Sequence, residues 1–342
     1  MVGVNGLGRI GRLLVRRLMA SDPGLIRALN DPSGLESIVH LLKHDSVHGL
    51  SPLRIEGIQE AGRDAIVIEG RAIPLFHATD PADLPFPELG IEVAVESSGK
   101  FVARENAARH LRGSVRHAVI SAPSPDADFT IIAPVNGMEL DLTAHRVISN
   151  ASCTAHATAP MLAVLENAFG LESAGMSTVH VATNDQRLLD LPHKDRRRAR
   201  AAFQNIIPTS SSAFGALHRA MPDLPQGFTG FALRVPTLSV NLVDLTATLK
   251  RPADLNAINA AYREAAGGSM NGIMALAHPG AVSSDFIGRD ESIVMDLDLT
   301  RVLGDRFVKV FGWHDNETGY AARLAELVKR LANPGIAMLS RR

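Results

Sequence analysis

The sequence opens with Val2-Gly3-Val4-Asn5-Gly6-Leu7-Gly8-Arg9-Ile10-Gly11-Arg12, and apolar residues at helical spacing follow over 13–18. An apolar strand, a glycine-rich turn and a helix in this order are typical of a dinucleotide-binding unit, and Gly6, Gly8 and Gly11 form its G-x-G-x-x-G pattern. The glycines allow a tight turn, close approach of a pyrophosphate, and close packing of helix on strand. This stretch therefore predicts that the chain begins with a βαβ unit that holds a dinucleotide.

A carboxylate stands at the end of the second predicted strand. That strand covers 25–30 and ends at Asp31, twenty residues after Gly11. A carboxylate there can accept hydrogen bonds from the ribose hydroxyls of adenosine, and it would repel a 2′-phosphate. The sequence thus favours NAD over NADP. A turn residue before Pro32 is the plainer interpretation of Asp31, and the two interpretations are compatible.

Strands and helices continue to alternate through the first half of the chain. Strands are predicted over 91–96, 115–120, 129–133 and 146–149, and a helix over 102–111. Such alternation predicts βαβ units on a mostly parallel sheet, in which ligands bind beyond the carboxyl ends of the strands. Five candidate residues fall at strand ends: Gly8, Asp31, Ser98, Ser121 and Ser149. We therefore predict an α/β Rossmann domain with its ligand at that edge.

The only cysteine lies in the run Ser149-Asn150-Ala151-Ser152-Cys153-Thr154-Ala155-His156, where a strand is predicted to pass into a helix. Unpaired N–H groups and the positive dipole at a helix N-terminus favour the thiolate, which is the nucleophilic form of cysteine. A small buried core residue is the plainer interpretation of a lone cysteine. Ser152 and Thr154 are poor neighbours for a dry core, so we interpret Cys153 as a candidate nucleophile.

His180 lies in the run 176–186, a predicted strand that continues into a polar loop. An imidazole beside a thiol can take its proton, which makes His180 a candidate base for Cys153. A satisfied polar histidine is the alternative, and the chain offers 13 histidines in all. Arg234 stands among apolar residues, and an arginine in such surroundings pairs with a bound anion or with a carboxylate.

Composition limits the functions open to the chain. Its 342 residues are too many for one ordinary core, so two domains are expected. The net charge of −1 and the absence of aromatic residues within the basic run 193–200 argue against nucleic acid and against an anionic membrane as partners. A single cysteine excludes an internal disulfide and suits a reducing compartment. No apolar run is long enough to cross a bilayer, and a strand starts directly after Met1, so we expect a cytoplasmic protein without a signal peptide.

We predict three regions along the chain. Residues 1–150 form the NAD-binding Rossmann domain, and residues 151–315 form an α+β catalytic domain with a mostly antiparallel sheet. In the last region, 316–342, the amphipathic stretch 321–332 is predicted to form a helix that packs back on the first domain.

Several segments together resemble the family of phosphorylating glyceraldehyde-3-phosphate dehydrogenases, the glycolytic NAD enzymes. The resemblance covers nearly the whole chain, and the segments that carry it are 5–12, 40–49, 149–154, 183–186, 190–195, 234–237 and 315–320. It implies oxidative phosphorylation of D-glyceraldehyde 3-phosphate to 1,3-bisphosphoglycerate with NAD and phosphate. Cys153 would form a hemithioacetal and then a thioester, and His180 would hold the thiolate and accept the hydroxyl proton. The backbone N–H of Cys153 and the imidazole would stabilise charge on the substrate oxygen.

The resemblance also implies the binding residues. Thr183 and Arg234 would hold the phosphate of the substrate, and the attacking phosphate would lie on Ser152, Thr154, Arg198, Ser211 and Ser212. The residues implied for NAD are Gly6, Gly8, Arg9, Ile10, Gly11, Asp31, Ser98, Ser121 and Asn316. No metal ion is expected. The resemblance further implies a homotetramer.

Four departures from the family pattern stand out in this chain. Ala155-His156 replaces the usual Thr-Asn after the nucleophile, Ser211-Ser212 replaces Thr-Gly, Thr79 replaces Arg, and Phe86 replaces Trp. The Ser212 side chain suggests an auxiliary enzyme with an altered preference among attacking anions such as arsenate. The sequence is also compatible with an erythrose-4-phosphate dehydrogenase and with a non-catalytic protein that binds RNA in the NAD cleft. The intact Cys153 and His180 argue against the non-catalytic protein.

Overall fold

The computed structural model describes residues 1–335, and these form two compact units. Among the described residues, the first unit contains 1–131, 137–151 and 321–335, and the second contains 132–136 and 152–320. Residues 336–342, the end of the predicted region 316–342, lie outside the described residues. The two units differ in how their strands are paired.

The first unit is built on one twisted sheet whose centre is parallel. Its strands are β1 (Val2–Asn5), β2 (Ile26–Asn30), β3 (Ile55–Glu60), β4 (Arg63–Ile68), β5 (Arg71–Phe76), β6 (Val93–Glu96), β7 (His117–Ile120), β8 (Phe129–Thr130) and β9 (Val147–Ser149). Their order is β3-β4-β5-β2-β1-β6-β7-β9-β8, and only the β3-β4-β5 meander is antiparallel. β1 lies between β2 and β6 with both neighbours parallel, which is why all four of its residues are buried.

The helices of the first unit follow the strands as the alternation predicts. They are α1 (Arg9–Ser21), α2 (Leu35–Lys43) and α3 (Arg104–Ala107). The helix predicted over 102–111 is shorter than expected, because α3 passes into a 3₁₀ turn at Ala108–His110. α1 buries Leu14, Val15 and Leu18 against the sheet, in register with its apolar spacing.

The second unit has a mixed sheet in which antiparallel pairs dominate. Its helices and strands are α4 (Ala133–Asn136), α5 (Cys153–Phe169), β10 (Leu171–Val181), β11 (Ile207–Thr209), α6 (Ala213–Ala220), β12 (Thr229–Val235), β13 (Asn241–Leu249), α7 (Leu255–Gly267), β14 (Met274–Leu276), β15 (Ile293–Leu303) and β16 (Phe307–His314). The strand order is β11-β12-β10-β13-β16-β15-β14, and only β10/β12 and β14/β15 are parallel. Residues of β13 alternate between buried and half-buried, as in a sheet covered on one face. This confirms the predicted combination of a Rossmann domain and an α+β domain.

The last helix, α8, runs from Thr318 to Ala332. Its Leu324, Leu327 and Val328 are buried in the same apolar cluster as Val2 and Val4 of β1. Among residues 1–335, no helix is long and apolar enough to cross a membrane.

Candidate active site

Cys153 is the first residue of α5. The residue before it, Ser152, has an extended backbone, and its Oγ accepts a hydrogen bond from the N–H of Ala155 at 3.1 Å. Serine at this position is a strong N-cap because its oxygen satisfies one of the unpaired N–H groups of the first turn. The cap fixes the helix start, and it thereby holds the half-buried Cys153 at the positive end of α5.

His180 lies near the end of β10 and faces the thiol. Its Nε2 is 3.9 Å from Sγ of Cys153, and the hydroxyl of Thr154 lies at the same distance from Sγ. A base and a nucleophile at contact distance in the free protein can exchange a proton once substrate tightens the site. The structure therefore brings the predicted nucleophile and the predicted base together from separate elements.

The other ring nitrogen of His180, Nδ1, lies close to a guanidinium and to a backbone carbonyl oxygen. The β10/β12 register pairs His180 with Arg234, and Nη1 of Arg234 lies 2.5 Å from Nδ1 of His180. Nδ1 is also 2.8 Å from the carbonyl oxygen of Val181, to which Nη1 donates at 3.1 Å. Sequence reasoning missed this contact, because 54 residues separate the two side chains and only the strand pairing joins them.

Burial and nearby charge shift the pKa values of Cys153 and His180. Burial raises the pKa of the Cys153 thiol, and the Thr154 hydroxyl and the Arg234 charge only partly offset it. Burial, together with the charge of Arg234, lowers the pKa of His180 well below its usual value. Both shifts favour the neutral thiol and neutral imidazole in the protein alone.

The two candidate phosphate-binding arginines are in different electrostatic surroundings. Arg198 pairs with the carboxylates of Asp185 and Asp195, and it donates to the carbonyl oxygen of Ser210 at 3.1 Å. Arg234 is largely buried, and burial lowers its pKa to about 10. Among residues 1–335, its Nε has no hydrogen-bond partner and no carboxylate forms a salt bridge with it. A buried cation in this state favours a bound anion.

The remaining predicted phosphate residues lie in turns. The hydroxyl of Thr183 donates to Oε1 of Gln186 at 3.0 Å, which fixes the loop after β10. Oγ of Ser211 accepts from the N–H of Ala213 at 3.2 Å, whereas Ser212 stands at the N-cap position before α6 and its side chain makes no capping hydrogen bond. The Arg198 bond to Ser210 brings that arginine beside this turn. Two groups result: Cys153, Thr154, His180 and Arg234 in one, and Arg198, Asp185 and the Ser210 turn in the other.

The glycine turn of the first unit is shaped for a phosphate group. Gly6 has φ +94°, and a Cβ there would lie 2.4 Å from the backbone nitrogen of Ser98. A Cβ on Gly11 would lie 2.0 Å from the carbonyl oxygen of Gly6, whereas a Cβ on Gly8 would meet nothing within 4 Å. α1 starts at Arg9 with no side-chain cap, and the space that a Cβ on the adjoining Gly8 would enter is open. An uncapped helix start beside open space fits the pyrophosphate of a dinucleotide.

Hydrogen bonds fix the carboxylate of Asp31, the predicted partner of the adenosine ribose. Its carboxylate accepts from the N–H groups of Leu7 at 2.8 Å and Ser33 at 2.9 Å, which still leaves lone pairs for ribose hydroxyls. His77 steadies the same turn, because its Nδ1 lies 2.8 Å from the carbonyl oxygen of Asp31 and its Nε2 lies 3.0 Å from Asp64. Sequence reasoning did not identify His77, since nothing local to residues 76–78 indicates that contact.

Other predicted cofactor residues are tied into the first unit. Arg9 pairs with Asp45 at 3.0 Å, and Ile10 is half-buried against the core. The hydroxyl of Ser121 donates to that of Ser97 at 2.9 Å. Ser98 directs both its N–H, at 2.9 Å, and its hydroxyl, at 2.5 Å, to the buried carboxylate of Glu96. The residue that orders this strand end, Glu96, was not singled out from the sequence.

Asn316 belongs to the second unit and stands just before α8. The buried carboxylate of Asp315 accepts from the N–H groups of Glu317 and Thr318 at 2.9 Å each, and from that of Gly288 at 2.8 Å. Oδ1 of Asn316 is buried and has no hydrogen-bond partner in the described part of the chain. A buried acceptor without a partner fits an amide donor, which the carboxamide of nicotinamide would supply.

Comparison with known proteins now decides the family. Residues 1–104 match the model of the glyceraldehyde 3-phosphate dehydrogenase NAD binding domain, and residues 152–316 match that of the C-terminal domain. The chain belongs to the glyceraldehyde-3-phosphate dehydrogenase family. It is 41% identical over 335 residues to glyceraldehyde-3-phosphate dehydrogenase 1 of Bacillus cereus, covering 98% of this chain and 99% of that protein.

Further relatives agree over the same length. The glyceraldehyde-3-phosphate dehydrogenase of Geobacillus stearothermophilus is 42% identical over 335 residues, again 98% of this chain and 99% of the relative. That of Streptomyces coelicolor is 41% identical over 334 residues, covering 97% and 98%. As a member of this family the chain is an NAD-dependent oxidoreductase, which confirms the cofactor that the glycine motif and Asp31 predict.

Proposed function

We propose that this protein oxidises D-glyceraldehyde 3-phosphate to 1,3-bisphosphoglycerate, with NAD as oxidant and inorganic phosphate as acyl acceptor. The observation that carries the proposal is the thiol of Cys153, held at a capped helix start 3.9 Å from Nε2 of His180. Arg234, a largely buried cation that forms no salt bridge with a carboxylate of residues 1–335, lies against the same imidazole. Oxidation of a phosphorylated aldehyde through a thioester requires a thiol nucleophile, a base and a binding site for the phosphate anion.

The protein's own groups perform the acyl chemistry. Sγ of Cys153 attacks the aldehyde carbon while Nε2 of His180 takes the thiol proton and returns it to the substrate oxygen, which gives a hemithioacetal. The backbone N–H of Cys153 and the imidazole stabilise charge on that oxygen. His180 then accepts the hydroxyl proton as the hemithioacetal becomes a thioester on Cys153. Inorganic phosphate attacks the thioester carbon, and the thiolate leaves and regains its proton from His180.

NAD, when bound, supplies the acceptor for the hydride that the hemithioacetal carbon loses. We assign its pyrophosphate to the turn of Gly6, Gly8 and Gly11 with Arg9 and Ile10, and its adenosine ribose to Asp31. Asn316 holds the carboxamide through its buried Oδ1. Ser98 and Ser121 complete the set at the ends of β6 and β7, where they order the cofactor edge of the sheet.

Two anion sites follow from the two arginines. Arg234 with Thr183 holds the phosphate of the substrate, because Arg234 forms no salt bridge with a carboxylate in the described part of the chain. Arg198 with Ser152, Thr154, Ser211 and Ser212 holds the attacking phosphate more weakly, since Asp185 and Asp195 already offset its charge. A weakly held attacking phosphate is compatible with release of the acyl phosphate product.

We also propose that the protein is a homotetramer and that it works in the reducing cytoplasm. Large apolar side chains of the second unit are exposed on the loop after β10 and around β11 and β12: Leu188, Leu189, Leu191, Ile206 and Phe231. Leu188 and Leu189 are 69% and 75% exposed, which is unfavourable for a free surface and typical of a subunit interface. A free catalytic thiol supports the reducing location.

The proposal is tested by NADH formation from D-glyceraldehyde 3-phosphate and NAD, with and without phosphate. We expect sustained turnover only with phosphate, a single burst of NADH without it, and no NADH from the Cys153→Ala variant. Turnover of erythrose 4-phosphate in place of the triose phosphate would contradict the assigned substrate. A variant without the thiol that retained turnover would contradict the assigned nucleophile.

A further inference from the structure

Asn241, the first residue of β13, is fully buried, and its side chain extends the sheet where the backbone pairing ends. The last backbone pair of β10 and β13 joins Val179 and Leu242, and the same register would place Val240 opposite Val181. Val240 is instead left-handed, with φ +69°, and the pairing stops there. Oδ1 of Asn241 accepts from the N–H of Val181 at 2.9 Å, so a side chain takes the place of a backbone acceptor.

Val181 is the last residue of β10, and its carbonyl oxygen supports the proposed base. Nδ1 of His180 lies 2.8 Å from this oxygen, and Nη1 of Arg234 donates to it at 3.1 Å. A carbonyl oxygen has two lone pairs and can accept from both groups, and their convergence on it brings the two nitrogens within 2.5 Å of each other. When the Nδ1 proton is directed at Val181, Nε2 is the nitrogen that exchanges a proton with Cys153.

The strand registers place Asn241 next to His180 on the same face of the sheet. His180 pairs with Arg234 between β10 and β12, and Asn241 pairs with His314 between β13 and β16. The β10/β13 register, continued one step past Val179, sets Asn241 opposite His180. Because cross-strand partners project from the same face, a row of polar side chains crosses β12, β10, β13 and β16. Asn241 stands in this row between the two histidines.

We propose that Asn241 is a positioning residue of the reaction: it holds Val181 at the end of β10, so that the Val181 carbonyl oxygen accepts from Nδ1–H of His180 and Nε2 is directed at the thiol. This rests on the proposed function through the role of His180 as the base. Nδ1–H donates to Val181 whether the ring is neutral or protonated. Asn241 therefore serves both directions of the proton transfer.

The amide of Asn241 is not placed to stabilise the core. Only Oδ1 can accept an N–H, so the bond to Val181 fixes the orientation of the amide and assigns its other atom as Nδ2. Nδ2 is buried, and within residues 1–335 it has no hydrogen-bond partner. A buried donor without a partner reduces stability, and such exceptions are concentrated at functional sites. The left-handed backbone of Val240 beside it is a second exception of this kind.

The hydrogen bond to Val181 opposes the other influences on His180. The titratable and charged groups around the ring are Cys153 of α5, Arg234 of β12, His314 of β16 and Arg198 of the loop after β10. Burial lowers the pKa of His180 most, the three cationic or titratable bases lower it further, and the bond to Val181 raises it. An acceptor for Nδ1–H favours the protonated ring. Loss of the Asn241 side chain should therefore lower the pKa of His180 and make the thiolate harder to form at acidic pH.

The first test is the pH profile of Cys153 alkylation by iodoacetamide in the wild-type protein and in Asn241→Leu, which removes Oδ1 at similar size. At about pH 6 we expect the variant to react about tenfold more slowly, the ratio that corresponds to one pKa unit of His180. At about pH 9, above the ordinary pKa of a thiol, the two proteins should react at similar rates, because the thiol then ionises without help from the ring. A parallel pair of profiles would overturn the proposal.

Two further variants separate positioning from folding. Asn241→Asp retains an oxygen that accepts from the N–H of Val181, so it should keep the wild-type rate at acidic pH. Asn259→Leu is the matched control: Asn259 is a buried asparagine of α7 whose Nδ2 donates to the carbonyl oxygen of Leu297 at 3.3 Å, and this variant should follow the wild-type profile at every pH. A loss at acidic pH as large in either variant as in Asn241→Leu would overturn the proposal.

The second test observes the ring of His180 by ¹⁵N NMR, with its signals assigned by their absence in His180→Asn. In the wild-type protein we expect Nδ1 to keep its proton across the titration while Nε2 alone titrates, and in Asn241→Leu we expect the Nδ1 proton to exchange faster with water. A wild-type ring that carries its proton on Nε2 when neutral would overturn the proposal, even if the leucine variant did not fold. Neither test uses the triose phosphate or NAD, so a failed NADH assay with the expected alkylation profiles would reject the assigned substrate and not the role of Asn241.

Discussion

At the scale of single residues, two influences on the thiol of Cys153 oppose each other. The start of α5 favours thiolate, and burial favours the neutral thiol. The pKa is raised, so burial has the larger effect in the protein alone. The sequence placed the thiol at the helix start correctly, but it carried no information on how deeply the thiol would be buried, because burial depends on β10 and the strands paired with it.

Replacing the sulfur of Cys153 by oxygen removes the thiol nucleophile and leaves a side chain of similar shape at the same position. We expect Cys153→Ser to lower kcat by at least about 10³-fold, because a serine hydroxyl beside a neutral imidazole is a much poorer nucleophile than a thiol. NAD affinity should be unchanged. Steady-state NADH formation and NAD titration measure the two quantities, and substantial residual turnover by the serine variant would contradict the role of the thiol.

His314 makes the stability of the second unit depend on pH. It is buried, and burial lowers its pKa to about 3. The folded chain therefore keeps it neutral where the unfolded chain, with an ordinary histidine pKa of about 6.5, takes up a proton. The contribution of neutral His314 to stability is complete above about pH 6.5. It is lost, by about 1.4 kcal/mol per pH unit, as the pH falls from about 6.5 toward 3.

The His314→Gln variant should lack this dependence. Relative to wild type, we expect it to gain about 2 kcal/mol of unfolding free energy between neutral pH and pH 5, since roughly one and a half pH units of the titration are removed. Urea denaturation across that range measures the difference. A constant gap between the two proteins would show that His314 is not the group responsible.

At the scale of elements, Gly8 and Gly11 of the first turn are required for different physical reasons. Gly11→Ala should reduce stability by a few kcal/mol, because its Cβ would lie 2.0 Å from the carbonyl oxygen of Gly6. Gly8→Ala should leave stability within about 1 kcal/mol, since its Cβ meets no protein atom within 4 Å. The space above Gly8 is where we place the pyrophosphate, so this variant should weaken NAD by roughly tenfold or more. Thermal unfolding and NAD titration of the pair separate packing from binding.

Two helix caps of the second unit provide a similar comparison. The side chains of Ser152 and Asp254 accept from the N–H groups of Ala155 and Ala257, at 3.1 Å and 2.8 Å. Replacing either by alanine should cost about 1 kcal/mol of stability. Only Ser152→Ala should also change the alkylation rate of Cys153, because α7, which Asp254 caps, carries no catalytic residue. Equal effects of both variants on the thiol would show that the cap acts only through global stability.

At the scale of the whole molecule, the proposed homotetramer rests on the exposed apolar side chains in the loop after β10 and around β11 and β12. Leu189→Asp places a charge on the most exposed of the leucines in the loop after β10, and a charge in an interface core is strongly unfavourable. We expect the wild-type protein to show the mass of four chains by light scattering, and the variant to show a smaller assembly. The matched change Leu50→Asp, at a residue of the first unit that is 72% exposed, should leave the mass unchanged.

The sequence by itself determined the class of each unit and the cofactor, and it singled out Cys153 as the candidate nucleophile. Glycine spacing, a carboxylate after the second strand, and strand–helix alternation are local patterns, and they depend on steric limits that act within a few residues. The same is true of the helix start at Cys153, which Ser152 caps over three residues. Patterns that depend on only a few neighbouring residues can be recognised from the sequence alone.

Only the tertiary structure decided how the candidate groups meet. The contact of Arg234 with Nδ1 of His180, the support of Asp31 by His77, and the network of Ser98 with Glu96 join residues through strand pairing or through turns. The raised pKa of Cys153 and the lowered pKa of His180 likewise arise from burial by distant elements. Registers and burial are properties of packed sheets, in which each residue's surroundings depend on segments far away in the chain, so no local pattern encodes them.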